Sequence, residues 1–521
     1  MCRVIVVIIQ FFRGIVDHVL EFIFGLYWDR QREPVPDLGR DHACLTESAV
    51  SLARRIKNGE LKSEDLVRAA IERINQVNPI LNAVVGERYE DALAEAREVD
   101  QRIAMGITDD FFEKPFLGVP FTTKESSAIK GLPLTYGLWS RRNQHASQDC
   151  EAVIRMRAAG AIPLAVTNLP ELLIWNETRN PVYGTTNNPH HTGRSPGGSS
   201  GAEAALMASY ATPISLSSDV AGSTRIPAFN CGLFGYHPTG ESTNLRGLFD
   251  RTGYEPTMFC LGFISKHVED LAPLTRIVAG DKQKILNLDR QTNLKDVKIF
   301  YTESFGDWWM SPIRSDLRNS MNDVILNMEK KWPTQNSPKP FYHEGFNYAT
   351  KLWQYWMEKE PEDYFSLYNN GNGKPFILFE LIKKITGFSR HTLNLIIRLA
   401  TLRFLPSVNS EWAEKLTRDL KKHVCDTLGD NGVLLLPSGP IPCPYHYIPY
   451  TGPYNFGYWA IVNVLKCPAV QVPLGTNSKG LPLGIQVMAA PGNDALCLAV
   501  AKYLEQEYGG AIMACKAKGR L

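Results

Sequence analysis

The sequence predicts an α/β fold built on one large sheet covered by helices on both faces, and three observations predict it. The 521 residues are 44% apolar and 21% charged, which commits the chain to a large buried core and excludes a disordered chain or a single small module. Short apolar or alternating runs of strand length recur at 117–123, 162–166, 297–301, 432–436, 469–472 and 483–488. Stretches of helical periodicity lie between them, among them 201–210 and 495–505, and this alternation belongs to a sheet packed between helices.

At the N-terminus, residues 4–26 hold sixteen Val, Ile, Leu and Phe, interrupted by Arg13, Asp17, His18 and Glu21. On a helix, Arg3, Gln10, Arg13, Asp17 and Glu21 fall within an arc of roughly 80° and form one polar stripe. A lone span would set roughly 3 kcal/mol for each central charge against roughly 0.5 kcal/mol per large apolar residue, so three charges nearly offset the hydrophobes. The same pattern suits a helix lying in the membrane interface, or a transmembrane helix whose stripe faces a partner. A targeting segment removed elsewhere and a helix docked on its own domain are the alternatives, although no small-x-small cleavage site follows. The expectation is a membrane-associating helix over 1–28 and a membrane-associated protein.

Residues 29–41, with Arg30, Arg32, Glu33, Pro34 and Pro36, read as a linker to a body spanning 42–521. The body opens with helices. Ser63 precedes a face of Leu66, Val67, Ala70, Ile71 and Ile74, and 89–103 repeats the period with Ala92, Ala96 and Val99. Between 303 and 406 strands vanish and aromatics crowd in (Trp308, Trp309, Trp332, Trp353, Tyr355, Trp356), marking a helical insertion. Within it, 376–405 combines Leu and Ile with Lys383, Lys384, Arg390, Arg398 and Arg403. That is the chemistry of a membrane-facing cap, and equally of amphipathic helices covering the sheet.

Lysine plus arginine total 56 and aspartate plus glutamate 54, and a net charge of +2 gives no footprint for nucleic acid. The ten cysteines are scattered, without CxxC or Cys/His zinc spacing, so neither a structural metal nor a disulfide framework is expected.

Three motifs carry chemistry. The first is Gly197-Gly198-Ser199-Ser200-Gly201-Ala202-Glu203, in which Ser200 and Glu203 have the spacing of a capping box feeding a helix. It also satisfies GxSxG, with Ser199 as an elbow nucleophile, but residues 187–196 cannot supply the buried strand that an elbow needs. The second is Ser217-Ser218-Asp219-Val220-Ala221-Gly222-Ser223, whose consecutive N–H groups could hold an oxyanion. The third is Lys124, at the end of an expected strand, which could activate a serine only if burial kept its amine neutral near pH 7.

Together, in this order and spacing, the motifs resemble the amidase signature family. The likeness extends through Val166-Thr167-Asn168-Leu169-Pro170-Glu171, Tyr183-Gly184-Thr185-Thr186-Asn187-Asn188-Pro189 and Gly480-Leu481-Pro482-Leu483-Gly484. The resemblance implies a large mixed sheet, a Ser-Ser-Lys triad with Lys124 as base, Ser199 as bridging serine and Ser223 as nucleophile, and a cis peptide between Gly198 and Ser199. It also implies an oxyanion hole from the backbone of Val220, Ala221 and Gly222, and no cofactor. The departures are Ala221 and Ala202, each where the family usually has glycine; Ala221 is tolerable only with φ below zero.

Residues 381–392 are similar to the membrane-associated fatty-acid amide hydrolases of that family, their second animal type. This implies a lipid amide substrate, a membrane partner and a homodimer. A glutamyl-tRNA amidotransferase-type amidase subunit and a catalytically silent lipid-binding homologue are the alternatives.

Overall fold

The computed structural model describes residues 3–106, 113–249, 251–373, 375–404 and 406–518. Its strands are β1 (Val84–Glu87), β2 (Pro120–Lys124), β3 (Ile162–Thr167), β4 (Arg179–Asn180), β5 (Gly184–Thr185), β6 (Ile214–Asp219) and β7 (Phe234–His237). They continue with β8 (Cys260–Ser265), β9 (Lys298–Tyr301), β10 (Lys339–Pro340), β11 (Gly432–Pro437), β12 (Ala469–Thr476) and β13 (Pro482–Ala489). All but β4 and β5 form one 11-stranded sheet in the order β1-β3-β2-β6-β8-β7-β12-β13-β11-β9-β10.

The sheet is mixed. β3, β2 and β6 run parallel, as do β11, β9 and β10, and antiparallel pairs join the two groups through β8, β7, β12 and β13. Every residue of β2, β3, β6, β8, β11 and β13 is buried, so the central sheet is covered on both faces. All six expected strands are present, with edges shifted by a few residues. β10 lies inside the segment read as strandless, as a two-residue edge strand.

The N-terminal segment forms one helix, Arg3–Trp28. No helix among the described residues is long and apolar enough to cross a membrane, so the transmembrane expectation is not met. Its polar stripe instead docks on the chain's own body. Arg13 donates to Ser311 Oγ (3.0 Å), the Trp309 carbonyl (3.1 Å) and the Thr451 carbonyl (3.2 Å). Glu21 accepts from Arg194 Nη2 at 2.7 Å, with both side chains buried. The opposite face, including Phe11, Phe12, Val16, Phe22, Ile23 and Leu26, is exposed.

The insertion forms helices that include Ser315–Lys331, Ala349–Met357, Ile377–Ile385 and Leu393–Phe404. The last of these is tied to the body. Thr392 N–H and Oγ1 donate to Glu171 Oε2, and Tyr450 Oη donates to Asn394 Oδ1 at 3.2 Å. Helix Ile377–Ile385 presents Leu378, Phe379, Ile382 and Ile385 to solvent, joined by Phe376 and Phe388. The loop holding Tyr450 and Thr451 therefore touches both the N-terminal helix, through Arg13, and helix Leu393–Phe404, through Asn394.

Candidate active site

Lys124 ends β2, which pairs in parallel with β6, so its side chain emerges at the same sheet edge as the loop that follows Asp219. Nζ donates to Ser199 Oγ at 2.5 Å and to Ser218 Oγ at 3.2 Å. The lysine is fully buried, and desolvation pushes its pKa down to about 7 against the opposing pull of Asp219 and Glu203. Glu203 is fully buried too and is pushed up to about 7 by desolvation; it accepts from Thr122 and Thr167 hydroxyls at 2.8 Å each.

The capping-box expectation is corrected by these bonds. Helix Gly201–Ala208 has no side-chain cap from Ser200, because Glu203 faces the sheet rather than the helix start. The N–H groups at that start are also taken, Ser200 N–H donating to the Ser223 carbonyl (3.1 Å) and Gly201 N–H to Thr178 Oγ1 (3.1 Å). The first of these bonds fastens the two serine loops together. The peptide between Gly198 and Ser199 is cis.

The second loop is organised by Asp219, a residue for which the motif alone suggests no role. Asp219 is fully buried and accepts from the N–H groups of Gly222 (2.7 Å) and Thr224 (3.1 Å), from Arg225 Nε and Nη2, and from Asn463 Nδ2. Arg225 holds its carboxyl well below the usual carboxylate range despite burial. Arg225 in turn donates to Gln486 Oε1 and Asn463 Oδ1, each at 2.7 Å. The signal in the sequence is an Asp and an Arg six apart around a serine, but their partners lie more than 200 residues away.

Gly222 as an oxyanion donor is a second correction, since its N–H is committed to Asp219. Among the described residues nothing accepts from the N–H groups of Val220, Ala221 and Ser223. Gly222 has φ 104°, a left-handed value that Ala221 avoids, so the methyl at 221 sits where an L-residue belongs.

Ser223 opens onto a cavity of about 1050 Å³, mouth included, whereas Ser199 does not line it. Val220, Ala221, Trp175, Phe259, Trp353, Tyr364 and Phe456 are among its walls. Of the insertion's aromatics only Trp353 and Tyr364 face it; Trp332, Tyr355 and Trp356 bond elsewhere, to Val297, Glu414 and Thr417. Ser223 makes no side-chain hydrogen bond among the described residues, so Lys124 and Ser199 are joined directly and Ser223 stands apart from them. No cluster of metal-ligating side chains occurs among the described residues.

The amidase family model matches residues 65–498. The chain belongs to the amidase signature family. Fatty-acid amide hydrolase 2 of Homo sapiens is 38% identical over 480 residues, covering 89% of this chain and 90% of that protein. Fatty-acid amide hydrolase 2-A of Danio rerio is 35% identical over 504 residues, covering 94% of each. A solved structure titled fatty acid amide hydrolase superposes with a TM-score of 0.69 at 18% identity, covering 94% of this chain and 88% of that one, which shows the shared amidase signature fold. The chain is accordingly an enzyme of the amidase family, close to the fatty-acid amide hydrolases.

Proposed function

We propose that this enzyme is a membrane-associated serine amidase that hydrolyses fatty-acid amides through an acyl-enzyme. The observation that carries the reading is a fully buried lysine, bonded to Ser199 by its amine and to no carboxylate, beneath an apolar cavity onto which Ser223 opens. With a pKa near 7 the Lys124 amine is substantially unprotonated at neutral pH and accepts the Ser199 proton. Ser199 then accepts from Ser223, and Ser223 Oγ attacks the amide carbon. The N–H groups of Val220, Ala221 and Ser223 face the charge that develops on the carbonyl oxygen. The proton returns through Ser199 to the leaving nitrogen, and water releases the acyl group.

The lining of the cavity suits a long acyl chain, which gains about 0.8 kcal/mol per buried CH₂. The relatives' names point to the same substrate class, a fatty-acid amide. Membrane association is supported by two exposed apolar faces, one on helix Arg3–Trp28 and one on helix Ile377–Ile385 of the cap. A helix whose charges are spent on its own body lies flat on a bilayer with its apolar side down. Substrate dissolved in the bilayer then meets the cavity mouth.

Fluorophosphonate labelling tests the nucleophile: the adduct is expected on Ser223, and an adduct on Ser199 or none at all overturns the reading. Hydrolysis of oleamide and an N-acylethanolamine, but not of glutamine, is expected of the same preparation.

A further inference from the structure

Resting on the amidase reading above, we propose that Arg398 recognises an anionic group on the amine side of the amide, so that the preferred substrates are N-acyl amino acids rather than neutral fatty amides. Arg398 projects from helix Leu393–Phe404 and, with Ile397 and Thr401, forms the wall of the same cavity that Ser223 enters. Its guanidinium carbon lies 5.8 Å from the centre of the Trp353 ring, and Trp353 Nε1 donates to the Val220 carbonyl at 2.8 Å. One indole thus separates the guanidinium from the nucleophile loop. The carboxylate of an amino-acid leaving group, only a few bonds from the amide nitrogen, comes within its reach.

The guanidinium is unspent. The fully buried arginines have acceptors, Arg73 the Ser209 carbonyl, Arg194 Glu21, Arg225 Asp219, and Arg251 Glu360 and Glu362, whereas Arg398 is half-buried. Arg398 makes no hydrogen bond or ion pair through its guanidinium among the described residues, and its Nη2 is shut off from solvent with no partner. Glu358, Tyr364 and Tyr454 are near enough to interact with its charge, yet none is bonded to it, and burial works against that charge. The Nη2 donors of this half-buried cation are left for a ligand, and the planar fork of five N–H groups matches a carboxylate bidentately. A neutral amide recovers less, because it brings no charge to a desolvated cation.

The test compares kcat/KM for N-oleoylglycine and its neutral isostere N-oleoylglycinamide on the detergent-solubilised full chain. The acid is expected to be preferred, and Arg398→Met is expected to reduce the acid-to-amide ratio at least about tenfold, mainly through KM, with Arg398→Lys restoring part of it. An unchanged ratio, or an equal fall for both substrates, overturns the proposal; so does an effect confined to inhibition by oleate, which would assign the guanidinium to the released acid. If the variants do not fold, the wild-type enzyme decides alone, since equal KM values for the two compounds sink the idea. An enzyme inert toward both compounds and toward fluorophosphonate removes the triad reading instead, and the relative binding of the same pair to Ser223→Ala still tests Arg398.

Discussion

Lys124 and Arg225 are two cations buried at the end of the same pair of parallel strands, and the fold treats them in opposite ways. Arg225 is clasped by Asp219, Gln486, Asn463 and the Trp459 carbonyl, so its charge is fixed and its guanidinium is part of the scaffold. Lys124 receives only hydroxyls at hydrogen-bond distance, and the carboxylates of Asp219 and Glu203 act on it from farther off. Burial with a bonded counter-ion preserves a charge, and burial without one takes it away. The proposed mechanism uses both, a rigid loop to aim Ser223 and a base that is free to accept a proton.

The comparison can be broken most decisively at the reacting groups. Ser223→Ala is expected to lower kcat by about 10⁴–10⁶-fold with the fold intact, read by hydrolysis rate beside far-UV circular dichroism. Lys124→Ala is expected to cost roughly 10²–10⁴-fold in kcat, the usual worth of proton transfer, without loss of thermal stability. On the other side of the comparison, Asp219→Asn strands the Arg225 guanidinium and is expected to lower unfolding free energy by about 3–5 kcal/mol, measured by urea titration; a small loss would mean that Arg225 is not held as a charge.

The pH profile sharpens the contrast. In the proposed mechanism the unprotonated amine is the active form, so kcat/KM should rise with pH along a limb centred near 7 and level off above it. Glu203→Gln removes a negative charge that raises the lysine's pKa, so the limb should move to lower pH, and a move to higher pH would mean that Glu203 does not act on the lysine as an anion. The smallest effect is expected at the surface: Phe379→Glu with Ile382→Glu should weaken flotation with liposomes several-fold while hydrolysis of a short soluble amide is unchanged.

Much of this is legible in the residues. Runs such as 162–166 and 483–488 become strands because they are apolar along their whole length, which a two-sided sheet requires. β7 and β8 escape a reading by pattern because Gly235 and Gly262 interrupt them, and β1 because four residues ending in Gly86-Glu87 carry no clear alternation. Lys124, Ser199 and Ser223 are readable from local motifs. The surroundings of Asp219, Arg225 and Arg398 are not, since their partners, or the lack of one, come from segments brought near only by the folded chain. The polar stripe of the first helix is visible in its periodicity, and its destination is not: Arg194 and Ser311 lie far along the chain.

The docking of that first helix bears on how the enzyme can be handled. Removing that helix, an ordinary route to a tractable preparation, would uncover the guanidinium of Arg194, now 1% exposed and stacked 3.6 Å above the Tyr445 ring, and would leave Ser311 without its bond to Arg13. The shortened enzyme would trade a greasy exterior for a raw polar scar, and mild surfactant around the intact chain is the gentler course.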